Sequence, residues 1–113
     1  MTLTAITGNA IPSDVLYQYL QNLVNMYFKI LPMKENGEKT LLAYMKNLRA
    51  DLVGCRRLFE VLHDDPMFLS MINILQYLID TPECDVEDIR RNVFNAISLC
   101  NKLSKLYAEV DEQ

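Results

Sequence analysis

Glycine (three) and proline (four) are scarce in this chain of 113 residues, which excludes a collagen-like or low-complexity polymer. Half of the residues are apolar and 23% are charged, so a disordered tail is excluded as well. The length is that of one domain and leaves no room for a two-domain enzyme. Basic charge is also short. Eleven Lys and Arg stand against 15 Asp and Glu, a net charge of -4, which does not indicate a simple basic nucleic-acid binder. No apolar run reaches the ~18 residues of a membrane-spanning helix. The opening Met1 to Gly8 has no cation and no long apolar core, so no secretory leader is expected.

Cysteine is sparse and odd in number, with residues at 55, 84 and 100. A small secreted scaffold uses a dense, even set, so a reducing, cytoplasmic location is the expectation. No two of them have metal-ligand spacing. Cys55 and Cys100 fall at core positions of helices, where the thiol serves as a small hydrophobe. Cys84 falls in a connection and is the thiol expected to be accessible.

What the sequence does contain is helical rhythm. Residues 1–12 read as an irregular N-terminal arm, with Gly8-Asn9 as a turn signal and no hairpin signature. Ser13 is a plausible N-cap for a first helix over about 13–31, which Pro32 is expected to stop. Met33 to Gly37 reads as a connection with Asn-Gly as its turn dipeptide. The second helix, about 38–62, places Leu41, Met45, Leu48, Leu52, Cys55, Phe59 and Leu62 at alternating steps of four and three. Such a 3.5-residue average keeps one seam toward a partner helix. Gly54 stands in mid-helix at a cost of about 1 kcal/mol, for which a close helix crossing is the expected compensation.

Asp65 before Pro66 opens the third helix, about 66–79, by an aspartate cap and a proline at the first helical position. Asp80 to Cys84 ends it, and Asp85 can cap the fourth helix, about 86–110. There Val86, Ile89, Val93, Ala96, Cys100, Leu103, Tyr107 and Val110 repeat the heptad rhythm, with Leu99 and Leu106 widening the seam on one side and Ile97 on the other. Residues 111–113 form a polar tail. Short connections between four such helices predict an all-α, up-down-up-down antiparallel four-helix bundle over 13–110.

The helices are of two kinds. The second and fourth carry charged, solvated faces. The first has only Asp14 and Lys29, near its ends, and the third has no charge at all. In the first, Gln18, Gln21, Asn22, Asn25 and Lys29 share a sector of roughly 100°, leaving an apolar arc of roughly 220°. An ordinary bundle helix needs a stripe of about 100° or somewhat more. Met67, Phe68, Met71, Ile72, Ile74, Leu75, Leu78 and Ile79 make a similarly broad arc on the third. The surplus predicts a partner surface built from Tyr17, Tyr19, Met26, Ile30, Met67, Phe68, Ile72 and Tyr77, with plain internal burial as the alternative.

Little in the sequence points to chemistry. His63, the one histidine, follows Glu60 by three residues, but a carboxylate di-metal site needs a second such pair and two further glutamates. The ring is better explained as complementing a helix C-terminal dipole. His63 and Cys84 lie at opposite ends of the third helix, roughly 20 Å apart, too far for a nucleophile and its base. Three scattered glycines form no phosphate loop. The expectation is a protein without catalytic activity, metal, cofactor or small-molecule substrate.

Charge is unevenly placed. The connections and termini hold eight acids and only Lys34, while the second helix has five bases to three acids and the fourth has four to three. Lys46, Arg49, Arg56 and Arg57 occupy neighbouring outer positions of the second helix. Arg90 and Arg91 open the fourth, where cations oppose the dipole unless a carboxylate such as Glu87 compensates. Two functions follow as expectations. The first is a protein–protein interaction module, a homodimer joined through the first and third helices. The alternative is a small helical accessory subunit or regulator contacting nucleic acid or a nucleoprotein through the arginines of the second helix, with all six cations as candidate anion contacts. Phe94, four residues from Arg90, is the aromatic on an outer position there.

Overall fold

Pro32 does not end the first helix where the sequence places its end. The computed structural model describes residues 2–4, 10–59 and 62–111, and the side chains of 15–59 and 62–106. Helix α1 (Ser13–Phe28) is interrupted at Lys29, and winding resumes as α2 (Ile30–Glu35). A proline has no N–H for the carbonyl four residues back, and its ring crowds that carbonyl. For Pro32 this is the carbonyl of Phe28, so the break falls a turn early. Pro32 then sits in the first turn of α2, where an N–H would lack a helical partner anyway.

Asn36-Gly37 closes α2 as a turn. Gly37 takes a left-handed backbone at φ 64°. Its N–H bonds the Lys34 carbonyl at 3.1 Å and the Glu38 N–H bonds the Met33 carbonyl at 3.0 Å, a Schellman motif that satisfies the exposed helix end.

Helix α3 (Leu41–Leu58) is shorter than the spacing implies. Phe59 is already extended, at φ -100° and ψ 116°, yet Phe59 and Leu62 are both buried. Hydrophobic spacing reports which side chains go inside, and here it continues past the end of the helix. His63 therefore lies in a turn rather than on a helix terminus, which corrects its assigned role with the dipole. Its ring Nδ1 stands 3.3 Å from Asp64 Oδ1, both side chains being exposed. Arg56 Nε donates to the His63 carbonyl at 2.7 Å and ties this turn back to the last turn of α3.

The starts of the last two helices follow their caps. Asp65 Oδ1 accepts from the Met67 and Phe68 amides at 2.9 and 3.0 Å and opens α4 (Pro66–Asp80). Asp85 Oδ1 accepts from the Asp88 amide at 2.9 Å and opens α5 (Val86–Asp111). Ahead of α1, β1 (Thr2–Thr4) and β2 (Ala10–Pro12) pair antiparallel with Leu3 opposite Ile11, in the segment read as an irregular arm. The Gly8-Asn9 turn, Glu60, residues 112–113 and the side chains of Ser13, Tyr107 and Val110 lie outside the described residues.

The fold class is all-α apart from that ribbon. The most extensive packing is between α1 and α5; α4 packs on both α3 and α5, and α2 on α5. Leu16, Leu20, Leu23 and Tyr27 of α1 meet Val93, Ala96, Cys100 and Leu103 of α5, Met71 and Leu75 of α4 and Leu48 and Leu52 of α3 in one core. Tyr27 is fully buried, and its hydroxyl donates to the Met71 carbonyl at 3.0 Å. On α5 the seam widens toward α1, through buried Ile97 and Ser104, while Leu106 is exposed. Ser104 Oγ donates back to the Cys100 carbonyl at 2.8 Å, which lets a hydroxyl sit in the core. No described helix is long and apolar enough to cross a membrane.

Candidate functional site

The eight residues expected to form a partner surface divide by burial. Ile30, Phe68 and Ile72 are interior residues and present no surface, a correction to their assignment. The broad arc of α4 is filled from inside: Phe68, Met71, Ile72, Leu75 and Leu78 are all buried, because α4 is packed on two sides, by α3 and α5. Met67 is half-buried against the same core. Tyr77 is exposed, but its hydroxyl donates to Asp88 Oδ2 at 2.6 Å and ties the end of α4 to the start of α5. Tyr17, Tyr19 and Met26 of α1 remain half-buried at the surface.

The outward side of α1 is free of charge between its ends. Gln18, Asn22 and Asn25 are exposed, Gln21 is half-buried, and Phe28 is 42% exposed. Phe28 meets Phe94 of α5, itself 47% exposed, edge-to-face with ring centroids 5.9 Å apart. Ser98 and Asn101, both exposed, fall on the same side of α5 by helical periodicity. These residues form an uncharged, amide-rich surface with two aromatic rings at one end. Charge depletion and aromatic enrichment mark the core of protein interfaces.

The other flank of α1 faces α3 and is bridged rather than filled. Tyr44 of α3 donates its hydroxyl to the Met26 carbonyl at 2.7 Å, and Tyr19 of α1 donates to the Asp51 carbonyl at 3.4 Å. Burial pushes the Tyr19 phenol well above its ordinary range, with the nearby Cys55 and Asp51 adding to it. Beyond Tyr19 a cleft of about 480 Å³ opens between Val15 and the end of α3. Gly54 lines it, and a Cβ built there meets nothing within 4 Å, so no close helix crossing explains this glycine. The expectation of such a crossing is corrected.

The six cations of the alternative reading do not converge. Lys46 and Arg57 are exposed on α3, Arg49 is half-buried, and Arg56 is engaged with His63. Arg90 lies 3.4 Å from Glu87 and 3.6 Å from Glu35, and Arg91 lies 2.7 Å from Asp88. Glu87 thus compensates Arg90 as expected, but Asp88 rather than Glu87 compensates Arg91. Hydrogen bonds from Tyr77 and then Arg91 hold the Asp88 carboxyl below its usual range.

Two of the three thiols are interior groups. Cys55 and Cys100 are buried, and desolvation pushes each up to about 12. Cys84 is half-buried against the core, the least buried of the three. Among the described residues, no group of three or more His, Cys, Asp or Glu side chains is placed to hold a metal ion.

Sequence reasoning did not find the cleft, Asp51 or the Phe28–Phe94 contact. A mid-helix glycine was the one available signal for the first. The last depends on which flank of α1 receives α5, which periodicity alone does not assign. No protein family, curated protein or solved structure matches this chain.

Proposed function

We propose that this chain is a non-enzymatic protein–protein interaction module that works as a homodimer in a reducing, cytoplasmic setting. Its frame is an up-down-up-down antiparallel four-helix bundle, in which α1 and α2 count as one bent helix. In support, Met33 near the end of α2, Leu41 at the start of α3, Leu78 near the end of α4 and Ile89 near the start of α5 line one hollow. Ends and starts therefore alternate at that pole.

The observation that carries the self-association is the amide-rich outer side of α1, uncharged from Val15 to Phe28, and its aromatic border with α5. A two-fold contact sets a surface against its own copy, so a charge at the axis meets its like and a charge elsewhere needs an opposite charge on the same surface. Gln18, Asn22 and Asn25 avoid that cost, because each side-chain amide both donates and accepts. Phe28 and Phe94 supply apolar area at one end. This moves the dimer surface away from α4, whose apolar residues are occupied internally, and keeps Tyr17 at its margin.

Sedimentation equilibrium on the wild-type chain tests this. Mass approaching two chains is expected, falling to one for Phe94→Asp and for Tyr17→Lys with unchanged helical circular dichroism. A monomer mass for the wild type at high micromolar concentration overturns the proposal. The second reading, contact with nucleic acid or a nucleoprotein through the arginines of α3, is weighed against by the net charge of -4 and is tested by low-salt binding to DNA or RNA, which Arg56→Glu and Arg57→Glu should weaken.

A further inference from the structure

We propose that the cleft between α1 and the C-terminal half of α3 is a binding site for a small hydrophobic ammonium ion. Its volume, about 480 Å³, lies within the ~300–1,000 Å³ range of ligand pockets. The walls are Val15 and Tyr19 from α1, and Leu58 and Phe59 from the end of α3. Val15 is 49% and Leu58 47% exposed, so two aliphatic side chains stand at the lips of a hollow with no described side chain between them.

The floor narrows the ligand's shape. Gly54 has a helical backbone and needs no left-handed conformation, and no neighbour crowds the position. A glycine in a helix interior costs about 1 kcal/mol relative to alanine. What it achieves here is depth, since a larger side chain at 54 would stand in the cleft.

The lining narrows the ligand's charge. Among the described residues, Asp51 is the one ionised side chain that lines the cleft, and no ion pair involves it. The half-buried ring of Tyr19 shares the cleft with it, and the buried ring of Phe59, 3% exposed, backs it from the core. A carboxylate beside aromatic faces attracts a cation by charge and by ring quadrupole. An anion of equal size meets repulsion from Asp51 and no lining cation to offset it. The chemical class that fits is an aryl- or alkylammonium of fragment size, its apolar part over Gly54 and its ammonium toward Asp51.

Three probes of one shape and different charge test the proposal: 2-phenylethylammonium, 2-phenylethanol and phenylacetate. Each is titrated at low salt into isotope-labelled protein, and the methyl resonances of Val15 and Leu58 are followed. The ammonium is expected to bind about tenfold more tightly than the alcohol, with phenylacetate weakest. Asp51→Asn, an exposed substitution, is expected to bring the ammonium down to the alcohol. Gly54→Leu, a favourable helix residue, is expected to abolish the shifts for all three. The proposal is overturned if no probe shifts these methyls, if phenylacetate binds as well as the ammonium, or if Asp51→Asn leaves the preference intact. Gln18 and Asn22 of the dimer surface share a helical stripe with Val15, so the titrations are repeated on Phe94→Asp, where the same shifts are expected.

Discussion

Two of the three glycines are expected to respond to alanine with opposite signs. At Gly54 the backbone is helical and an added Cβ meets nothing within 4 Å. The substitution therefore brings neither clash nor new contact, and only helix propensity changes. That is worth about 0.8–1 kcal/mol in favour of Gly54→Ala, partly through a less flexible unfolded chain. At Gly37 there is equally open space, but φ is 64°. Alanine there is strained by about 1–2 kcal/mol, so Gly37→Ala is expected to destabilise. With about 2.1 cal/mol/K of unfolding entropy per residue, 1 kcal/mol moves Tm by about 4 °C for a chain of 113 residues. Thermal and urea unfolding followed by circular dichroism should place Gly54→Ala about 3–4 °C above the wild type, and Gly37→Ala at least as far below. The urea slopes should agree, so that the shifts report stability alone. A lower Tm for Gly54→Ala would refute the reasoning, because it would mean that α1 closes onto Gly54 in solution and that the cleft does not exist.

Other substitutions probe the core and the pole where α4 meets α5. Tyr27→Phe removes one buried hydrogen bond while the Met71 carbonyl stays in a helical turn, so a loss of about 1 kcal/mol is expected from urea unfolding. Tyr27→Ala also opens a cavity and should cost about 3–5 kcal/mol. Tyr77→Phe removes the foremost cause of the lowered Asp88 carboxyl, so in carboxyl-edited NMR titrations Asp88 should titrate at higher pH than in the wild type. A lowered carboxylate stabilises above its ordinary value of 3.8 and loses that contribution as pH falls through the folded value; the acid limb of the variant's stability profile should therefore be shallower. For the buried thiols the sign reverses. Cys55 and Cys100 stay protonated in the fold up to about 12, whereas unfolded thiols ionise near 9, so their contribution is complete below about pH 9 and is lost as pH rises toward 12. Replacing Cys100 with Ala should flatten the alkaline fall of stability between pH 9 and 10.5 by up to about 1.4 kcal/mol per pH unit. An unchanged slope would contradict a neutral buried thiol.

Helix positions and burial were legible in the sequence because both rest on local chemistry. The Asp65-Pro66 and Asp85 caps placed the starts of α4 and α5, and Asn36-Gly37 placed its turn. The interior residues Met45, Leu48, Leu52, Cys55, Phe59 and Leu62 are those of the heptad pattern. Ends of helices were less legible. Proline acts on the carbonyl four residues earlier, so Pro32 marked the right perturbation and the wrong residue, and buried Phe59 and Leu62 extended a rhythm that the backbone had already left. The site was least legible, because an apolar arc does not state whether its partner is inside the molecule. The arc of α4 is covered on two sides by α3 and α5. That of α1 is covered closely by α5 and only bridged by tyrosines to α3, which is what leaves a cleft on one flank.

The closest packing in the molecule joins α1, the first helix described, to α5, the last. The Phe28–Phe94 contact joins residues 66 apart in sequence, so a long loop must close before it contributes anything. During synthesis α1 emerges long before α5 exists, with α2, then α3 and α4, at hand but not the helix it packs on most extensively. A nascent chain halted before residue 86 would hold the residues of the two tyrosine bridges but not Val93, Ala96, Cys100 and Leu103, which cover the inner side of α1. Its exposed α1 would be the natural target of a chaperone until the final helix docks.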